Sequence, residues 1–83
     1  MNASVLDRVR QLTADVFGVE VGGVTAASSP ETIASWDSQA HLNFVLALEA
    51  EFGIRLSAVA VADILNVGLA VSAVEEQLAK HPA

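Results

Sequence analysis

Apolar residues return at helical intervals along most of this chain and lose their period in one long stretch. Val5, Val9, Leu12 and Val16 fall at i, i+4, i+7 and i+11, one stripe of an α-helix, with Asp7, Arg8, Arg10, Gln11 and Asp15 largely off it. Ser4 followed by Asp7 imitates a capping box with a shorter acid, and Gly18 supplies the stop. A second helix is predicted from Asp37-Ser38 to Phe52, with Asp37 as N-cap and Gly53 free to take the left-handed position after the last turn. Val45, Leu48 and Phe52 form its inward row and Leu42 and Phe44 flank it. Leu46 extends the apolar surface beyond what a core requires. Ser57 caps a short third helix over Ala58 to Leu65. Val67, Val71, Val74 and Leu78 set a fourth after Asn66, with Glu75, Glu76, Gln77 and Lys80 facing outward and Pro82 marking its end.

Between Gly18 and Trp36 no long period survives. Gly22-Gly23 and Ser28-Ser29-Pro30 break the segment, and Val19, Val21, Val24 and Ile33 are the residues available to pin it to a core. Ser29 as cap and Pro30 at the first position suit one helical turn within it. So long a connection in so small a domain implies a functional reason for it. The expected fold is all-α: a small four-helix bundle, with three longer helices, a short third helix and a long loop between the first and second.

With 83 residues the chain suffices for a single domain, 1–83, and not for a second core. It is 53% apolar but only 5% aromatic, and fifteen alanines favour helices and a thin core. Ten acidic against four basic residues give a net charge of −6, which argues against nucleic acid and against an anionic membrane surface. The most hydrophobic stretch, Ala58 to Val74, is short for a membrane span and is interrupted by Asp63, Asn66 and Ser72. Charge precedes any apolar run at the N-terminus, so no signal peptide is read there and a soluble cytoplasmic protein is expected. The start at Met1 favours a stand-alone protein over an excised domain. Without cysteine there is no disulfide, no thiol catalysis and no thiolate metal site, and two histidines, His41 and His81, are a poor beginning for a metal centre, so none is expected.

The best set of residues for catalysis is Ser38, His41 and Asp37 at the start of the second helix, since i and i+3 side chains can meet. A bundle of this size offers little room for an oxyanion hole and a cleft, so His41 reads as a solvent-facing or half-buried helix residue and no enzyme is expected. Glu49 and Glu51 point to different sides of the helix and read as solvated charges with a partner role; Trp36 reads as a packing residue where the helix begins. What remains is Asp-Ser at a helix N-terminus after a long loop. Free N–H groups and the positive end of the helix dipole suit a phosphate ester there, on a serine whose hydroxyl another enzyme can reach.

The run from Trp36-Asp37-Ser38-Gln39 through Leu48-Glu49-Ala50-Glu51-Phe52-Gly53-Ile54 resembles the second helix of acyl carrier proteins. Phe17-Gly18-Val19 is similar to that family's end of helix 1, Val24-Thr25 to its loop pair and Asn66-Val67-Gly68 to the start of its last helix, so the resemblance runs over nearly the whole chain. It implies a non-catalytic carrier whose cofactor, 4′-phosphopantetheine, is attached covalently to Ser38 by a phosphopantetheinyl transferase. Asp37 would cap the helix and help hold the metal ion used in that transfer. The arm's thiol would carry acyl groups as thioesters to an acyl-loading enzyme, acyltransferase or ketosynthase-type partner, with Gln39, Leu42, Asn43, Leu46, Glu49 and Val59 on the partner surface and the carrier itself a monomer.

Three departures qualify the resemblance. Gln39 stands where the family usually has a docking Leu or Met. Asn43, Ala50, Ala58, Val59, Ala60 and Ala62 occupy family positions that are commonly acidic, which weakens acidic steering of partners. His41 adds a charge that depends on pH. Together they favour dedicated partners of a polyketide or related specialised pathway over general fatty-acid synthesis. The Trp36-Asp37-Ser38 context favours an acyl over a peptidyl or aminoacyl carrier of the same fold. An unmodified helical adaptor is the alternative from another class.

Overall fold

The computed structural model of the chain describes residues 4–80, so Pro82 and His81 lie outside the described residues. Four α-helices follow one another: α1 (Val5–Phe17), α2 (Ser38–Phe52), α3 (Ala58–Asp63) and α4 (Val67–Lys80), with a 3₁₀ turn at Val21–Gly23 in the first connection. Among the described residues there is no strand, and no helix is long and apolar enough to cross a membrane. The all-helical bundle is the fold that the periodicity predicts.

Each helix starts and stops where short polar residues or glycine allow it. Ser4 accepts from the Asp7 N–H, Asp37 from Ala40 and Ser57 from Ala60, each side chain supplying an acceptor that the first turn lacks. Asn66 does the same for α4, its Oδ1 accepting from the Leu69 N–H at 2.7 Å. Gly18 (φ 67°) and Gly53 (φ 64°) end α1 and α2 in the left-handed conformation and turn their N–H groups back onto Ala14 and Glu49 carbonyls.

Helix α1 packs on both α2 and α4, which approach each other less closely. The core between them holds Val9, Phe44, Leu48, Val67, Ala70 and Val74, all fully buried. An aromatic cluster closes one end: the Phe17 and Trp36 rings stack at 4.7 Å, and Phe44 meets Trp36 edge-on at 5.5 Å.

Several boundaries and faces differ from the expectation. The buried face of α1 is Val9, Thr13, Ala14 and Phe17, with Val5, Leu12 and Val16 only half-buried beside it, because Thr13 hides its hydroxyl by donating to the Val9 carbonyl at 2.7 Å. In α2, Phe44 belongs to the inward row, and Phe52 is half-buried under the Arg8 guanidinium, 4.3 Å from its ring centre. Val19 and Val21 are exposed; Val24 and Ile33 alone of the four pin the loop. Helix α3 stops at Asp63, two residues short of Leu65, since Ile64 leaves helical geometry to drop into the core. Gln77 is half-buried and not outward-facing.

The first connection is a strap tied down at many points. Arg10 of α1, expected on the outer face, donates to the Val24 carbonyl (2.7 Å) and the Val21 carbonyl (2.9 Å). The first N–H groups of α4 donate into the loop, Val67 to Ser28 O at 2.9 Å and Gly68 to Ala26 O at 2.8 Å. Ser35 Oγ donates to Phe17 O at 2.7 Å. Ser29 and Pro30 form the single turn expected of them, Ser29 O accepting from the Thr32 and Ile33 N–H groups.

Candidate functional site

The strap delivers Asp37 and Ser38 to the start of α2. Trp36 is the last anchor before them: it is 5% exposed, packed against Phe17 and Phe44, and so is the packing residue the sequence suggests. One residue on, the backbone of Asp37 is extended (φ −99°, ψ −175°), its Oδ1 accepts from the Ala40 N–H at 2.9 Å and its carbonyl accepts from the His41 N–H at 2.8 Å. Ser38 is then the first helical residue and is exposed, with the capping work done by its neighbour. The N–H groups of Ser38 and Gln39 have no acceptor within the helix, and together with the dipole of a 15-residue helix they favour a phosphate at this point.

Beside Ser38 runs an open, mainly apolar groove of about 640 Å³, walled by α2, the end of α3 and the α3–α4 link. Ser38, Asp37 and Leu42 line it with Pro30, Ile64 and Leu65. The last three were not read as site residues from the sequence; Leu65, an apolar residue just past a short helix, was the available signal.

His41 lines the same groove as Ser38 and Asp37, but its ring nitrogens are engaged outside the catalytic set into which the sequence could place it. Its Nδ1 accepts from Trp36 Nε1–H at 3.0 Å and its Nε2 lies 2.9 Å from the Val61 carbonyl. Those two partners select the tautomer with the proton on Nε2, which then donates to Val61. Both ring nitrogens are thus occupied, and the half-buried ring bridges the loop to α3. The bridge was not legible in the sequence, because it spans Trp36, α2 and α3.

The remaining residues assigned to a partner surface divide. Gln39, Leu42, Asn43 and Leu46 on α2 and Val59 on α3 are exposed. Glu49 is half-buried and its carboxylate accepts from the Leu56 N–H at 2.9 Å, fastening the α2–α3 connection, so it is not the solvated charge expected. Glu51 is bound as well, Arg8 Nη2 lying 2.8 Å from its Oε2. No cluster of three or more His, Cys, Asp or Glu suited to a metal ion occurs among the described residues.

No family model matches the chain. Among solved structures it is similar to the solution NMR structure of a holo acyl carrier protein from Geobacter metallireducens, with a TM-score of 0.82 and 28% identity over 92% of this chain and 87% of that one. The likeness marks the chain as acyl-carrier-like, a carrier and not a catalyst.

Proposed function

We propose that this chain, which has the fold of an acyl carrier protein, carries acyl groups as thioesters on a 4′-phosphopantetheine arm attached to Ser38. The observation that carries the reading is the placing of an exposed serine hydroxyl as the first residue of α2, beside N–H groups that a phosphodiester can use and at the edge of an apolar groove. Loading forms a bond from Ser38 Oγ to phosphorus as the pyrophosphate link of coenzyme A breaks; the nucleotide half departs and a base of the transferase takes the hydroxyl proton. Asp37 spends one carboxylate oxygen on the Ala40 N–H, which leaves the other for the cation that accompanies coenzyme A. When bound, the arm supplies the thiol that this cysteine-free chain lacks.

The neutral residues Gln39 and Asn43 on the exposed side of α2 support dedicated partners of a polyketide or related specialised pathway, such as a ketosynthase-type enzyme, over general fatty-acid synthesis. On this reading the chain is a single cytoplasmic carrier domain, and a peptidyl or aminoacyl cargo is the alternative. The test is intact-protein mass after incubation with coenzyme A, magnesium and a broad-specificity phosphopantetheinyl transferase, beside Ser38→Ala. A gain of one phosphopantetheine group, absent from Ser38→Ala, is expected. A folded protein that stays unmodified with several transferases refutes the reading in favour of an unmodified helical adaptor.

A further inference from the structure

Trp36 stands immediately before the N-cap of α2 and His41 four residues into the helix, with Asp37 the cap and Ser38 the first helical residue. At that spacing many helices place two apolar side chains, whose packing fixes the angle at which the chain enters. Here the pair is bonded instead. Trp36 Nε1–H donates to His41 Nδ1 at 3.0 Å, and the two rings lie 20° from parallel with their centres 6.2 Å apart. An apolar pair sets a distance, whereas a hydrogen bond also sets a direction.

Both rings are held from their far sides. The indole is stacked on Phe17 and meets Phe44 edge-on, while His41 Nε2 is 2.9 Å from the Val61 carbonyl of α3. Neither ring can tip without giving up a contact. The backbone between them is closed as well, since Asp37 N–H donates to Ser35 O at 3.0 Å and Asp37 O accepts from the His41 N–H. Asp37 and Ser38 thus sit inside a short loop of chain whose two ends are joined by the ring pair.

The fold alone does not ask for this polarity. Leu56 and Val61 hold the corresponding positions about the N-cap of α3, and two apolar residues there need no matching of donor to acceptor. What a directional pair adds at α2 is a fixed relation between the Asp37 carboxylate and the Ser38 hydroxyl. Arm transfer uses both at once: Ser38 Oγ bonds to phosphorus and gives its proton to a base of the transferase as the nucleotide half of coenzyme A leaves, with Asp37 toward the cation. Small misplacement of such groups costs rate steeply.

Resting on the carrier reading, we propose that His41 is a positioning residue for the modification of Ser38. Bonded to Trp36 and to α3, it sets the entry of the chain into α2, and through it the placement of the Asp37 carboxylate relative to the Ser38 hydroxyl. It acts through these neighbours, so its loss lowers the rate of the bound complex and not the strength of binding.

The test is single-turnover transfer of the arm from coenzyme A by one phosphopantetheinyl transferase, read by intact mass at about 15 °C, near the temperature at which small domains are most stable. His41→Phe is expected to lower the saturating rate about tenfold and to leave the half-saturating carrier concentration within about twofold. His41→Gln, whose amide offers an acceptor and a donor, is expected to recover most of that rate. Val74→Ala, which removes buried volume from the core face of α4, destabilises the fold without touching the start of α2 and is expected to keep the rate within about twofold. The unloaded chain gives a second readout: exchange of the Ala40 and His41 amides, which donate to Asp37, is expected to quicken about tenfold more in His41→Phe than in Val74→Ala. A saturating rate in His41→Phe within about twofold of the unaltered chain, an equal fall in Val74→Ala, or a loss confined to the half-saturating concentration overturns the proposal and leaves Ser38 as the attachment point. Failure of the unaltered chain to take up the arm removes the carrier reading and the proposal together.

Discussion

Replacing His41 by Phe keeps a ring of similar shape and removes both hydrogen bonds, so it isolates what the bridge contributes. Trp36 Nε1–H, in a residue only 5% exposed, loses its acceptor, and the Val61 carbonyl loses the nearer of its two donors, keeping the Ile64 N–H at 3.4 Å. A donor left unpaired in such a place costs about 1–3 kcal/mol, and a half-exposed carbonyl that water can reach about 0.5 kcal/mol. The added apolar surface of Phe, in a half-buried position, returns roughly 0.5 kcal/mol. The expected net loss is therefore about 2 kcal/mol, which in a domain of this size lowers Tm by roughly 10 °C.

The loss should be uneven. Helix α3 buries no residue of its own and is capped only by Ser57 and by the long Ile64 N–H bond to Val61, so without His41 its amides at 58–63 should exchange fastest, while α1 and α4 fall only with global stability. His41→Gln, whose amide offers an acceptor and a donor, should recover part of both effects. Calorimetry with native-state hydrogen exchange reads the two together, and the emission of the chain's one tryptophan reports the indole directly. A Tm within about 2 °C of the unaltered protein, with unchanged exchange in α3, would refute the bridge as a structural element.

Other positions give sharp expectations. A Cβ at Gly68 would lie 3.1 Å from the Ala26 carbonyl oxygen, so Gly68→Ala should destabilise by about 1 kcal/mol despite the better helix propensity of alanine; a rise in Tm would contradict that. Arg10→Met keeps the apolar stem but drops the bonds to Val21 and Val24, and should cost about 1–2 kcal/mol in urea denaturation while opening the loop at 19–24 to proteolysis. Asp37→Ala should cost about 1 kcal/mol through the lost cap and Asp37→Asn much less, a difference that thermal melts resolve.

How far the sequence reaches depends on the range of the interaction that fixes each element. Asp37, Ser57, Gly18 and Gly53 act on backbone groups within a turn, so the ends they set are readable from spacing alone. Thr13 escapes the apolar stripe read in α1 because its polarity is hidden by a bond to its own helix, and Ile64 is misplaced in α3 because its tertiary burial overrides the local preference to continue that helix. Arg10 and Glu49 are misread for a related reason: each charge is engaged by backbone groups of a distant or folded-back segment, where hydropathy assigns both to solvent. The candidate site follows the same division. Asp37 and Ser38 are legible as a cap and the residue after it, whereas the groove and the His41 bridge depend on α3 and its exit, which no local pattern positions.

The strap explains why so small a domain keeps a connection of this length. A short link could join α1 to α2, but it would leave the start of α2 positioned by its two ends only. Here α1 holds the loop through Arg10, α4 holds it through the N–H groups of Val67 and Gly68, and Trp36 anchors it in the aromatic cluster directly before Asp37. The start of α2 is thus fixed by the whole bundle, while Ser38, which caps nothing and is exposed, is not required for any of it. A residue so precisely delivered and so little used in the fold is what a covalent attachment point needs, since the hydroxyl can be modified without disturbing the elements that present it. Ser38→Ala should accordingly leave Tm within about 1 °C of the unaltered protein while abolishing loading.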